Sequence, residues 1–163
     1  MRTRRSARFQ EVEMIDRRKL LLQTFGAAGL VAFAAPLAFA DDAVLVYKSP
    51  TCGCCAAWIE HLRAAGFSVR ANNVVDMSPV KTRLRVPQSM WSCHTAVVGD
   101  YVIEGHVPAG DIRRLLQQGP SVAGIAVPGM PAGSPGMEID GYSESYTVWA
   151  FGDAGIETFA LHE

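Results

Sequence analysis

The sequence predicts an α/β fold, and three observations carry that prediction. Apolar residues make up 49% of the 163 and charged residues 19%, enough apolar surface for a core and too little charge for a disordered chain. Short β-branched runs such as Ala43-Val44-Leu45-Val46-Tyr47 have the character of buried strands. Trp58, Ile59, Leu62 and Ala65 instead recur on one helical face. The length suits one domain with an extension.

The elements follow in order. After the first strand, Ser49-Pro50-Thr51 turns the chain into Cys52-Gly53-Cys54-Cys55, and a helix runs to Ala65, with Gly66 as its stop. Phe67 to Val75 reads as a second strand. Ser78-Pro79 has the form of an N-cap followed by Pro at the first helical position, opening a short helix to about Leu84. Thr95 to Val98 and Tyr101 to Ile103 flank Gly99-Asp100, a hairpin signal. Pro108 to Gln118 reads as a helix with Asp111 in its first turn, Ile112, Leu115 and Leu116 on one face, and Gly119-Pro120 ending it. The order β-α-β-α-β-β-α, with a cysteine motif between the first strand and helix, matches a thioredoxin-like fold. Val127 to Met137 is crowded with Pro and Gly, which predicts an irregular loop. Tyr146 to Phe151 and Ile156 to Leu161 then read as a β-hairpin around Gly152 to Gly155. The expected organisation is a thioredoxin-like domain over 41–120 and an irregular C-terminal extension with its hairpin over 121–163, too short to stand alone and therefore packed on the first domain.

Residues 1–40 read as a signal peptide. Arg17-Arg18-Lys19 precede an apolar run from Leu20 that ends Ala38-Phe39-Ala40, the pattern of a secretory signal peptide cut after Ala40. A membrane-spanning helix is the competing reading, since about 20 residues can span a bilayer, but Pro36 lies near the end and Asp41-Asp42 follow. Arg17-Arg18 fits the twin-arginine route and the Leu-rich run fits the general one. No cysteine follows the cut, as a lipoprotein requires. Met14 is an alternative start, because 14–40 alone is a complete signal. The mature chain is therefore expected in the periplasm, where cysteines become disulfides or metal ligands. The net charge of −1 conceals a +4 signal and a −5 remainder. An acidic remainder without a Lys/Arg run excludes a nucleic-acid binder and a polybasic membrane-surface protein.

Three chemistries compete for Cys52, Cys54, Cys55 and the distant Cys93, which a thioredoxin-like fold returns to the motif. Cys52 and Cys55 have the C-x-x-C spacing of thiol–disulfide exchange, and a helix N-terminus favours the thiolate. That account leaves Cys54 and Cys93 unused. A closed zinc site of four cysteines usually draws its ligands from two separated pairs, whereas here three cysteines crowd one turn and the vicinal pair strains to reach two corners of one tetrahedron. A soft thiolate site for copper uses every cysteine, because Cu(I) prefers sulfur and vicinal thiolates can bridge several ions. Met130 and Met137, at the ends of M-P-A-G-S-P-G-M, either plug the loop onto the core or offer thioether sulfur to the same metal. Met77, Met90, Trp58 and Trp91 read as core. His94 follows Cys93, and strand alternation turns it to the opposite face. His106 could ligate or position the site, or lie on a surface loop. His61 and His162 read as surface residues.

Tyr47 to Cys55, Trp58, Cys93-His94-Thr95, Glu104 to Ala109 and the loop from Val127 to Met137 together resemble the CopG-type periplasmic copper-resistance proteins, a C-x-C-C metal-binding family once known only as a domain of unknown function and unrelated to the DNA-binding repressors that share the name. The resemblance covers about 43–152. It implies a thioredoxin-like domain whose C-terminal extension contributes to metal binding, a multinuclear, cysteine-bridged copper cluster, and interconversion of Cu(I) and Cu(II) in copper resistance. Carried onto this chain, the thiolates are Cys52, Cys54, Cys55 and Cys93, with Met130, Met137 and His106 as candidate helpers. The implied partners are copper ions and copper-efflux components or periplasmic copper chaperones, with no nucleic acid, no membrane contact in the mature form, and a monomeric state. The alternatives are a glutaredoxin- or arsenate-reductase-like enzyme acting through Cys52 and Cys55, and a passive copper chaperone or store.

Overall fold

The computed structural model describes residues 43–163; the signal peptide and cleavage site expected from the sequence lie outside the described residues. The elements are β1 (Val44–Lys48), α1 (Gly53–Ala64), β2 (Val69–Asn73), α2 (Ser78–Arg83), β3 (His94–Val98), β4 (Tyr101–Gly105), α3 (Ala109–Gln118), β5 (Gly124–Val127), β6 (Tyr146–Gly152) and β7 (Gly155–His162). The predicted α/β class is the observed one. The seven strands of the described residues form one sheet in the order β2-β1-β3-β4-β5-β6-β7. β1 and β2 are parallel, with Val44 opposite Val69. β3 runs antiparallel to both its neighbours β1 and β4. β5 then lies parallel to β4, and β6 and β7 close the sheet as an antiparallel hairpin. Residues beyond Pro120 thus extend the same sheet by three strands.

Alternation along each strand divides the buried residues between two faces. Val44, Val46, Ala96, Val98, Ile103, Ile125 and Ala150 meet Trp58, Ile59 and Leu62 of α1 and Ile112 and Leu115 of α3. Val102, Ala126 and Phe151 face the other way, onto Val86 and Met90, with Leu84 and Trp91 beside them. Helices α1 and α3 cover one face, and α2 with the 3-10 turn Gln88–Met90 serves the other.

Local chemistry sets the ends of the elements. At the end of α1, Gly66 at φ 90° lets its own N–H bond the Arg63 carbonyl and the Phe67 N–H bond the Leu62 carbonyl, 2.8 and 3.0 Å, which satisfies two otherwise free carbonyls. The cap of α2 differs from the sequence expectation. Met77 occupies the N-cap and Ser78 lies inside the helix; the Asp76 Oδ1 accepts the Ser78 N–H at 2.9 Å. β5 was not legible as a strand, because Gly124–Val127 is only four residues long and runs straight into Pro128. Among the described residues no helix is long and apolar enough to cross a membrane.

Candidate metal centre

β1 delivers the chain to the N-terminus of α1, where Cys52 is the N-cap and its sulfur accepts the Cys55 N–H at 3.3 Å. Cys54 and Cys55 fall in the first turn. Cys93 stands just before β3, which is paired with β1 through Tyr47 and Lys48. That pairing returns Cys93 to the motif. The Cys54 Sγ lies 3.5 Å from the Cys52 Sγ and 3.9 Å from the Cys93 Sγ, and the Cys55 Sγ lies 3.6 Å from the Cys93 Sγ. All four sulfurs lie within 4.8 Å of one another. Cys52 and Cys55 form a disulfide, and Cys54 and Cys93 are free. Reduction of that bond supplies two more thiols, giving four soft donors in one cluster.

Imidazoles adjoin the sulfurs. The Cys93 Sγ lies 3.3 Å from His94 Nδ1 and 3.0 Å from His106 Nε2, and these three residues form a second group able to hold a metal. Both histidines are fully buried. His94 was expected on the opposite face from Cys93. The expectation fails because Cys93 precedes β3 in irregular backbone, so strand alternation does not relate the two side chains. His106, which the sequence left between a site role and a surface loop, is covered by the extension: its Nδ1 lies 2.8 Å from the Pro135 carbonyl. A carbonyl only accepts, so Nδ1 carries the proton. In the neutral ring Nε2 then keeps its lone pair and directs it at Cys93. The His94 ring packs between Trp58, at 4.3 Å, and His106, at 4.9 Å. Trp58 is itself held by Nε1–H donation to the Val107 carbonyl at 2.8 Å.

Burial shapes the protonation of the site. It pushes the Cys93 thiol up to about 12, with the neighbouring Cys54 adding to the effect. Burial also holds His94 well below the usual histidine range, reinforced by His106, Lys81 and Lys48, and it lowers His106 against the pull of the Pro135 carbonyl and Glu138. Both imidazoles are therefore neutral at pH 7, the form that ligates metals.

The loop over 127–137 closes over the motif. Gly136 has φ 84°, and a Cβ there would stand 2.8 Å from both the Cys54 carbonyl oxygen and the Trp58 nitrogen. Only glycine allows this approach. Ser92 Oγ–H donates to the Gly129 carbonyl at the other end of the loop. Met130 and Met137 each follow one of these contact residues; Met130 is exposed and Met137 half-buried. His61 and His162, expected as surface residues, are partly buried and each makes a tertiary contact. His61 Nε2 accepts the Ala109 N–H that opens α3, at 3.1 Å. His162 Nε2 lies 2.7 Å from Asp111 Oδ2 and its ring stacks on Tyr146, tying β7 to α3.

Two solved structures described as copper resistance protein copG, form 2 and form 1, are 46% identical to this chain. Each superposes with a TM-score of 0.70 over 74% of it, and the match covers 98% and 96% of their own lengths. The chain belongs to the CopG family. A family model described as a protein of unknown function, DUF411, matches residues 90–137. That stretch contains Cys93, His94, His106 and the loop that Gly136 seats on α1. No curated protein matches the chain.

Proposed function

We propose that this protein is a periplasmic copper-binding protein of copper resistance, exported by a signal peptide over 1–40 and holding copper through Cys52, Cys54, Cys55 and Cys93. The observation that carries the reading is the mutual proximity of four sulfurs, all within 4.8 Å, in a chain 46% identical to copper resistance protein copG structures. Vicinal Cys54 and Cys55 favour bridging over a single closed tetrahedron, so the copper is multinuclear and cysteine-bridged. His106, with its lone pair directed at Cys93, is the first helper. His94 joins it, and Met130 and Met137 are further sulfur donors on the covering loop. The strand order β2-β1-β3-β4, with β3 alone antiparallel, supports a thioredoxin-like domain over 41–120 that 121–163 extends.

The cluster is redox-active in this reading. Two Cu(II) ions bound at the reduced site each take one electron from the Cys52/Cys55 dithiolate, giving the Cys52–Cys55 disulfide and two Cu(I) ions, which then rest on the remaining donors Cys54, Cys93 and His106. Thiolate ligands and a buried pocket set the Cu(I)/Cu(II) balance. Copper reaches and leaves the mature monomer through copper chaperones or efflux components.

The Cys52–Cys55 disulfide at a helix N-terminus also favours a second reading, a thiol–disulfide oxidoreductase that uses no metal. Cys54→Ser separates the two. A copper protein loses bound copper in this variant, whereas a C-x-x-C reductase retains full exchange activity with a dithiol substrate. Full exchange activity with no copper held by the wild type would overturn the copper reading.

A further inference from the structure

A buried ion pair lies behind the centre, on the opposite face of the sheet from α1. Lys81 of α2 is 3% exposed and Glu104 of β4 is fully buried. The Lys81 ammonium donates to Glu104 Oε1 and, at 3.0 Å, to the Thr95 hydroxyl. Glu104 Oε1 also accepts the Ser92 N–H at 2.7 Å, and Oε2 accepts the Thr95 hydroxyl at 2.7 Å. Desolvating two charges costs several kcal/mol per ion, and an apolar pair of similar volume is often as stable. Stability alone therefore does not account for this pair.

Its geometry does. Ser92 immediately precedes Cys93, and Thr95 immediately follows His94. One carboxylate grips the chain on both sides of Cys93-His94. Gly105, next to Glu104, completes the seat, because a Cβ there would collide with the Val127 carbonyl and the Ser92 side chain. We infer that Glu104, held by Lys81, is a positioning residue that presets the Cys93 sulfur and the His94 ring before any metal arrives. The inference rests on the reading of Cys93 as a copper ligand only for its metal readout.

Glu104→Gln tests it in the full mature chain, reduced and metal-free. The rate of Cys93 alkylation by iodoacetamide, measured against Cys54 in the same molecule, is expected to rise several-fold as the segment loosens. Copper is expected to be held about 10–100-fold less tightly in competition with a Cu(I) chelator, the usual loss when a partner of a metal ligand is removed. The double variant Lys81→Met/Glu104→Leu removes the ammonium together with the acceptor for the Ser92 N–H and the Thr95 hydroxyl, so a role limited to charge balance is rescued by it and a positioning role is not. Thr95→Val keeps the ion pair and reads the same quantities with a smaller shift, should the charge variants not fold. Wild-type alkylation ratio and wild-type copper retention in folded variants overturn the inference. A wild type that holds no copper, with the Cys93 rate still shifted in the variants, overturns the copper reading and leaves the positioning role standing.

Discussion

Cys93 is where the sulfur cluster meets the imidazoles, and its protonation governs how the site loads. Burial and Cys54 raise its thiol to about 12, so at neutral pH the metal-free residue is protonated. A metal takes only the thiolate, so loading must release that proton. Titrating reduced protein with Cu(I) in two buffers of different ionisation enthalpy should show proton release, and apparent affinity should rise with pH. Loading without proton release would remove Cys93 from the ligand set. Cysteine spacing made the four sulfurs legible as candidates, because residue type and the C-x-C-C pattern are local properties. The histidines were harder. His94 shares the site with Cys93 because Cys93 lies one residue before β3 begins, outside the strand's alternation. The burial of His106 comes from Pro135, 29 residues away, which no local pattern reveals.

At the scale of elements, the site is the meeting of the N-terminus of α1, the approach to β3, the end of β4 and the covering loop. The loop's contribution can be tested at Gly136. Alanine there combines a left-handed backbone with contact against the Cys54 and Trp58 backbone, a strain of about 1–3 kcal/mol. Gly136→Ala should lower the unfolding free energy by that order and weaken copper retention, because the loop lifts from α1 and releases the His106 Nδ1 contact. Thermal unfolding and chelator competition on the same sample check both. A stability loss with unchanged copper retention would separate the loop from the site. Periodicity made β1, α1, the β3–β4 hairpin, α3 and the β6–β7 hairpin legible. β5 escaped because its pairing with β4 and β6 is wholly non-local and its four residues carry no period of their own.

For the whole molecule, buried histidines link stability to pH. His94 and His106 are both held below the ordinary value of 6.5 by burial. The unfolded chain takes up protons at these residues below about pH 6.5 while the native chain resists. Native stability is therefore full above that pH and falls as pH drops through it, by up to ~1.4 kcal/mol per pH unit for each histidine held neutral. Denaturant unfolding of metal-free protein between pH 7 and pH 5 should show this fall, with a shallower slope in His94→Phe. An identical slope in that variant would show that His94 is not held neutral.

The fold's largest consequence is that one sheet brings Cys93 back to a motif 38 residues earlier in the chain, at Cys55. The central claim is that these sulfurs hold copper together. Metal analysis after anaerobic reduction, incubation with equal copper and zinc, and desalting tests it most directly, on wild type and Cys93→Ser side by side. The account predicts copper retained in preference to zinc by the wild type and lost from the variant. Zinc retained in preference to copper, or equal copper in both proteins, would contradict it.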